Sequence, residues 1–280
     1  MKERGYVYQT GQSLMDFVEN HYFAKFPDQT EEAFKQNWEL YQNLPAFKAS
    51  ENIHEVLSGN ADQYKWELSD NEQKFIRSED IKPEVHWIMR MAAQYYVTKA
   101  FEAMKIDLSD PNVVEQALGK GTAGRWVKMF TGDNLEDTTE LGSGRWNKEP
   151  TLSVFPNHGT KSIIVKKVDL ISCCSHHFLP FSTLDGGTAT IAYKPAEQVL
   201  GISKLQRFVL WASRRCWLQE DLTDYIGKTI QKIAKTKDVY VKLEGVVHGC
   251  EKFRGVNARN GSLDTEFRGG IFEEMEEINL

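Results

Sequence analysis

The sequence predicts an α+β fold, an antiparallel sheet with helices on one face, preceded by a mainly helical N-terminal region. Three observations carry this. Strand-like runs rich in β-branched residues occupy 162–171 and 188–193. Two amphipathic helical patterns follow over 203–233, and apolar residues then alternate with polar ones over 239–247. A β-β-α-α-β-β order of this kind puts the helices together on one side of an antiparallel sheet.

Taken from the N-terminus, residues 1–82 form an extension that is polar and aromatic. Helical stretches such as 30–41 alternate with punctuation at Pro27 and Pro45, and the charged run over 60–80 reads as solvent-facing. No chemistry-bearing cluster falls there. A second domain, 83–280, opens with a helix after Pro83, whose buried face is expected to be Val85, Ile88, Met89, Ala92, Tyr96, Ala100 and Met104. Asp110-Pro111 supplies an N-cap and a proline at the first helical position for a short helix through Leu118. Residues 124–130 continue as helix until Gly132, and 132–160 is a long loop rich in Gly, Asn, Asp and Thr. Asp185-Gly186-Gly187 marks a turn between the first two strands. Ser203 reads as the N-cap of a helix with Leu205, Val209, Ala212 and Cys216 inside; Leu222, Ile226, Ile230 and Ile233 mark the next. Residues 263–272 give a weaker last strand, and the acidic stretch 273–277 a solvated end.

The chain has 280 residues, 41% of them hydrophobic and 26% charged, as in ordinary soluble globular proteins. Its net charge of −6 gives no general attraction to nucleic acid or membrane. No apolar leader and no run of eighteen apolar residues occurs, which points to a soluble, cytoplasmic protein. Four cysteines in this length do not make a disulfide framework, and their clustering with histidine suits a reducing compartment.

That cluster is the chief chemical signal. Cys173-Cys174-Ser175-His176-His177 is answered downstream by His248-Gly249-Cys250. Thiolate and imidazole are preferred zinc ligands, and Cys-x-x-His is a chelating spacing. Two registers satisfy it, Cys173 with His176 and Cys174 with His177. With Cys250 either gives three protein ligands, and a fourth position left for water distinguishes a catalytic zinc from a structural one. His176 and His248 are the candidate proton carriers beside the ligands. Lys204 and Arg207, three apart behind Ser203, form a candidate phosphate grip at a helix start. The Glu220 carboxylate, beside Gln219, can accept two parallel hydrogen bonds, and guanine offers that pair in its N1–H and N2 amino group. Arg254, four residues after Cys250, is placed to meet a phosphate near the metal. Taken singly, the Lys/Arg pair reads as a solvated helix face, Glu220 as a carboxylate favoured by the helix dipole, and Arg254 as a surface ion pair.

Four ordered motifs together resemble the GTP cyclohydrolase I family: Cys174-x-His176-His177, Gly201-Ile202-Ser203-Lys204-Leu205-x-Arg207, Gln219-Glu220-x-Leu222-Thr223, and His248-x-Cys250-x-x-x-Arg254-Gly255. The resemblance spans roughly residues 85–272. It implies a T-fold assembled into a homo-oligomeric ring with active sites between subunits, and conversion of GTP to 7,8-dihydroneopterin triphosphate and formate. It implies Zn2+ held by Cys174, His177 and Cys250, and proton transfer by His176 and His248. Guanine would be held at Gln219 and Glu220, and triphosphate at Ser203, Lys204, Arg207 and Arg254. Two departures stand out. Ser175 replaces the glutamate of the family's Cys-Glu-His-His, and the connection 182–187 is longer than the family's turn. They motivate a competing expectation, a catalytically inactive T-fold homologue that binds metal and nucleotide. A deazaguanine reductase is disfavoured, because that chemistry needs a nucleophilic cysteine in place of a zinc site.

Overall fold

The computed structural model describes residues 13–44, 81–110, 113, 121–137, 139–147, 150–255, 260–278 and 280. The expected short helix after Asp110-Pro111 and the charged run over 60–80 lie outside them. Contacts divide the chain into two compact units, which for the described residues are 13–147 and 150–280.

In the first unit, α1 (Leu14–Lys25) and α2 (Glu31–Gln42) each begin at a side-chain cap. Ser13 Oγ accepts from the Asp16 amide and Thr30 Oγ1 from the Ala33 amide, both at 3.2 Å. Proline at the first position opens α3 (Pro83–Ala103). These three helices share one core of Phe17, Val18, Tyr22, Phe34, Trp87 and Ile88, with Asn37 donating to the buried Tyr22 hydroxyl at 3.0 Å. The buried stripe of α3 runs through Val85, Ile88, Ala92 and Tyr95, so the sequence pattern is correct at its start and drifts later. Tyr96 and Met104, expected inside, are 58% and 61% exposed. A strict i, i+4 count slips off a 3.6-residue stripe as the helix lengthens. Helix α4 (Gly121–Thr131) stops at Gly132, whose φ of +71° is the left-handed conformation that ends helices.

The second unit is built on one long strand. β8 (Val239–His248) pairs antiparallel with β5 (Thr188–Tyr193) and β9 (Leu263–Gly269), and β5 with β2 (Ile164–Val168). At Gly245 (φ +63°) the β8–β9 register shifts, a bulge that only a left-handed residue accommodates easily. Beyond it, Val247 and His248 pair with β4 (Pro180–Ser182), which pairs with β3 (Ile171–Cys174). β3 in turn runs parallel to β7 (Cys216–Trp217). A separate two-stranded ribbon joins β1 (Val154–Pro156) to β6 (Gln198–Leu200) within the expected long loop region and its partner.

Helices α5 (Ile202–Ser213) and α6 (Gln219–Ala234) cover one sheet face, as the sequence order requires. Ala189, Ile191 and Tyr193 of β5 and Val241 and Leu243 of β8 point to Leu205, Phe208, Leu222, Ile226 and Ile230. Each such large apolar side chain contributes roughly 1.5–3 kcal/mol on burial. The opposite face carries a smaller core of Ala192, Tyr240 and Phe272, capped by Met275 and Ile278. The acidic end is therefore anchored between its exposed glutamates, with Arg268 Nη1 donating to Met275 O at 2.8 Å.

Three local expectations are corrected. The run 162–171 is two strands, because Leu170 leaves the first to bond Thr183 through both its N–H and C=O. The helix expected to be capped by Ser203 starts two residues earlier, with Gly201 as N-cap, putting Ser203 inside its first turn. Cys216 belongs to β7, not to the helix before it, since α5 ends at Ser213.

At one point the backbone of the helix layer lies directly on a side chain of the sheet. A Cβ on Gly227 of α6 would sit inside the Phe267 ring of β9. Gly227→Val is expected to destabilise the protein by about 1–3 kcal/mol through overpacking. A urea midpoint equal to that of the parent would show that this approach is not tight.

Candidate active site

The hairpin joining β3 to β4 makes the first half of the site. Cys174 is the last residue of β3, its N–H donating to Leu179 O and its C=O accepting from the Phe178 N–H, at 2.8 and 2.9 Å. This closes Ser175–Phe178 into a loop that folds His177 back over Cys174. Phe178 takes a φ of +52°, a left-handed conformation that costs an aromatic residue about 1–2 kcal/mol. Ser175, the departure from the family motif, donates its N–H to Trp217 O at 3.0 Å, extending the β3–β7 contact into the loop.

The second half arrives on β8 past its bulge. His248 ends the strand, and Gly249 opens the short helix α7 (Gly249–Phe253) that carries Cys250. A Cβ at Gly249 would lie 2.9 Å from Pro180 O, so this helix packs directly on β4. Lys252 pairs with Asp185 of the long connection at 3.3 Å.

The two halves bring Cys174, His177 and Cys250 together, with all ligand atoms within 4.8 Å of one another. Cys174 is buried, Cys250 half-buried and His177 exposed, so the group opens to solvent on the histidine side. Cys174 Sγ and His177 Nδ1 are 3.6 Å apart. A tetrahedral ion with metal–sulfur and metal–nitrogen bonds of about 2.3 and 2.0–2.1 Å spaces those donors by about 3.6 Å. The donor set and spacing therefore fit zinc. The other register fails, because Cys173 is wholly buried and faces Cys216 across the β3–β7 pair.

Electrostatics agree. Burial pushes the Cys250 thiol up, and the adjacent Cys174 adds to the effect. Two converging sulfurs resist joint ionisation unless a cation joins them. Desolvation, then the Arg254 guanidinium, holds His177 below the usual imidazole range, leaving a neutral ring able to ligate. Arg254 Nη1 reaches Nε2 of the same ring.

Of the proton carriers, His176 is exposed, its ring 6.0 Å from that of His177. His248 is half-buried and stacked on Phe181 at 4.7 Å, and burial lowers its pKa while the Glu251 and Glu220 charges oppose this. Glu220 is exposed at the start of α6. Gln219, expected beside it on the base, is placed otherwise. It is 1% exposed, and its amide bonds to His248, Leu263 O and Thr265. A buried amide finds its hydrogen-bond partners inside the fold.

Ser203 and Arg207 are exposed and Lys204 half-buried on the first turns of α5. Among the described residues their side chains make no hydrogen bond or ion pair, and no side chain caps the helix start. They are not drawn to the metal group by any such contact. Sequence reasoning gave no separate place to Phe181, Thr223 or Thr265, whose contacts depend on pairings between distant segments. Only Gly245, a glycine inside a strand pattern, gave a readable sign of the bulge that aims β8 at the site.

No helix among the described residues is long and apolar enough to cross a membrane. The family model for GTP cyclohydrolase I matches residues 98–279, leaving the N-terminal region unmatched. Proteins named GTP cyclohydrolase 1 from Shewanella sp. (strain ANA-3) and Shewanella baltica (strain OS185) are each 34% identical over 183 residues, covering 64% of this chain and 76% of theirs. The like-named protein of Shewanella putrefaciens (strain CN-32 / ATCC BAA-453) is 34% identical over the same length, 77% of its own. A T-fold sheet under two helices, a Cys–His–Cys group at its rim and these matches agree: the chain belongs to the GTP cyclohydrolase I family.

Proposed function

We propose that this protein hydrolyses GTP at C8 of the purine, releasing formate and yielding 7,8-dihydroneopterin triphosphate. The observation that carries the reading is the convergence of Cys174, His177 and Cys250 on a spacing suited to zinc, with His248 and Arg254 beside them. Zinc held there supplies Lewis acidity and an activated water at neutral pH. The rest is work for the chain. Glu220 accepts the N1–H and N2 amino hydrogens of guanine as two charge-assisted bonds, fixing the purine plane. Arg254, Lys204 and Arg207, with the Ser203 hydroxyl and the uncapped start of α5, hold the triphosphate. His176 and His248 carry protons to and from the opening imidazole ring.

This reading places the sites in a homo-oligomeric ring, where a neighbouring subunit completes each of them. In this reading residues 1–82 are an extension to the catalytic part, and the protein works in the cytoplasm, where GTP and reduced thiols coexist. The decisive assay incubates zinc-loaded protein with GTP and follows formate and pterin fluorescence. Stoichiometric formate with pterin is the expected result. Nucleotide binding without either product would replace this reading with that of an inactive homologue.

A further inference from the structure

The hydrogen bonds around Gln219 can be followed to a single assignment of every proton. The hydroxyl of Thr223, fully buried, donates to Gln219 O at 2.8 Å, which uses its one hydrogen. The 2.7 Å contact between Thr223 and Thr265 must then have Thr265 as donor. The Thr265 oxygen is thereby left to accept, and the Gln219 amide nitrogen lies 3.0 Å from it. The same nitrogen is 3.1 Å from Leu263 O, a pure acceptor. Both amide hydrogens are thus committed, and the amide cannot be flipped without setting its oxygen against that carbonyl. Gln219 Oε1 accordingly faces His248 Nε2 at 2.7 Å and can only accept. His248 must carry its hydrogen on Nε2.

Resting on the proposed cyclohydrolase reading, we propose that Gln219 is a positioning residue. It fixes His248 as the Nε2–H form, so that Nδ1 is the atom that exchanges protons at the site. Phe181, stacked on the ring at 12°, fixes the plane of the imidazole, and a flipped ring would lose the bond from Nε2 to Gln219. The Thr223–Thr265 pair ties α6 to β9 and holds the amide. The arrangement turns the amide inward: both of its hydrogens are spent inside the fold, which leaves no donor for guanine.

The test compares wild type, Gln219→Met and, as a milder lesion that keeps the fold, the near-isosteric Thr265→Val. Protein labelled with 13C and 15N in histidine, with a His248→Gln sample to assign the signal, reports the ring tautomer at pH 8 without turnover. The expected result is a pure Nε2–H signature in wild type and a mixture in Gln219→Met, with a smaller change in Thr265→Val. With GTP, kcat should fall about tenfold to a hundredfold in Gln219→Met, part of the range general acid–base groups contribute, while KM and bound zinc stay within twofold. An unchanged tautomer, or a rise in KM at constant kcat, would overturn the proposal. A wild-type protein that makes no formate would refute the cyclohydrolase reading, while the tautomer measurement would still decide this one.

Discussion

Replacing Cys250 with alanine is expected to weaken zinc binding by more than about a hundredfold and to remove formate release from GTP. Loss of an outer partner alone typically costs 10–100-fold in metal affinity, and Cys250 is one of the three candidate donors that converge among the described residues. The remaining pair, Cys174 and His177, belongs to one hairpin loop, so what is lost is the link between that loop and α7. Competition with a chromogenic chelator gives the affinity, and the same samples give formate. Cys173→Ala is the matched control. Its side chain is equally small and wholly buried but is turned towards Cys216, so zinc affinity should be unchanged. Equal zinc binding by Cys250→Ala and wild type would mean that the three side chains do not form the metal site.

Acidification is expected to destabilise the first unit by about 3 kcal/mol between pH 6.5 and 4 through a single buried histidine. His86 of α3 is 3% exposed, donates from Nε2 to Thr131 O at 3.1 Å, and faces Trp146. Desolvation, with Arg90 one turn away adding repulsion, pushes its pKa down to about 4 from the ordinary 6.5. Arg90 cannot move off, because its guanidinium is held by Asp133 through both the carboxylate, at 3.1 Å, and the main-chain carbonyl. The unfolded chain therefore binds a proton at pH values where the folded one does not. Stability is complete above pH 6.5, declines as pH falls towards 4, and loses nothing further from this group below that. A difference of about 2.5 units at 1.36 kcal/mol each gives the magnitude. His86→Gln keeps a donor for Thr131 but does not titrate. Urea midpoints of the two proteins at pH 7, 6, 5 and 4.5 should diverge as pH falls, the variant losing less. Parallel curves would refute the assignment.

The amino-acid order carried those parts of the fold that repeat locally. Val239, Val241 and Leu243 alternate, and Leu222, Ile226 and Ile230 recur at helical spacing, because each pattern reports one buried face of one element. The strands β3, β4 and β7 were less readable. They are two to four residues long, and their stability comes from pairing with segments far along the chain. The N-terminal helices were similarly underestimated. Phe17, Tyr22 and Phe34 show their role only when set against Trp87 and Ile88, more than fifty residues away in sequence.

The sequence by itself determined the candidate donor types and the family. Cys-x-x-His places two donors within one loop whatever surrounds it, and cysteine and histidine have few other reasons to gather at such spacing. Only the tertiary structure decided which register converges with Cys250, since that depends on which sulfur β3 turns towards α7. The same holds for Gln219: its residue type suits base recognition or internal bonding equally well. Its hydrogen bonds were decided when β9 brought Leu263 and Thr265 within reach, because a buried amide must satisfy its hydrogens with whatever the fold places beside it.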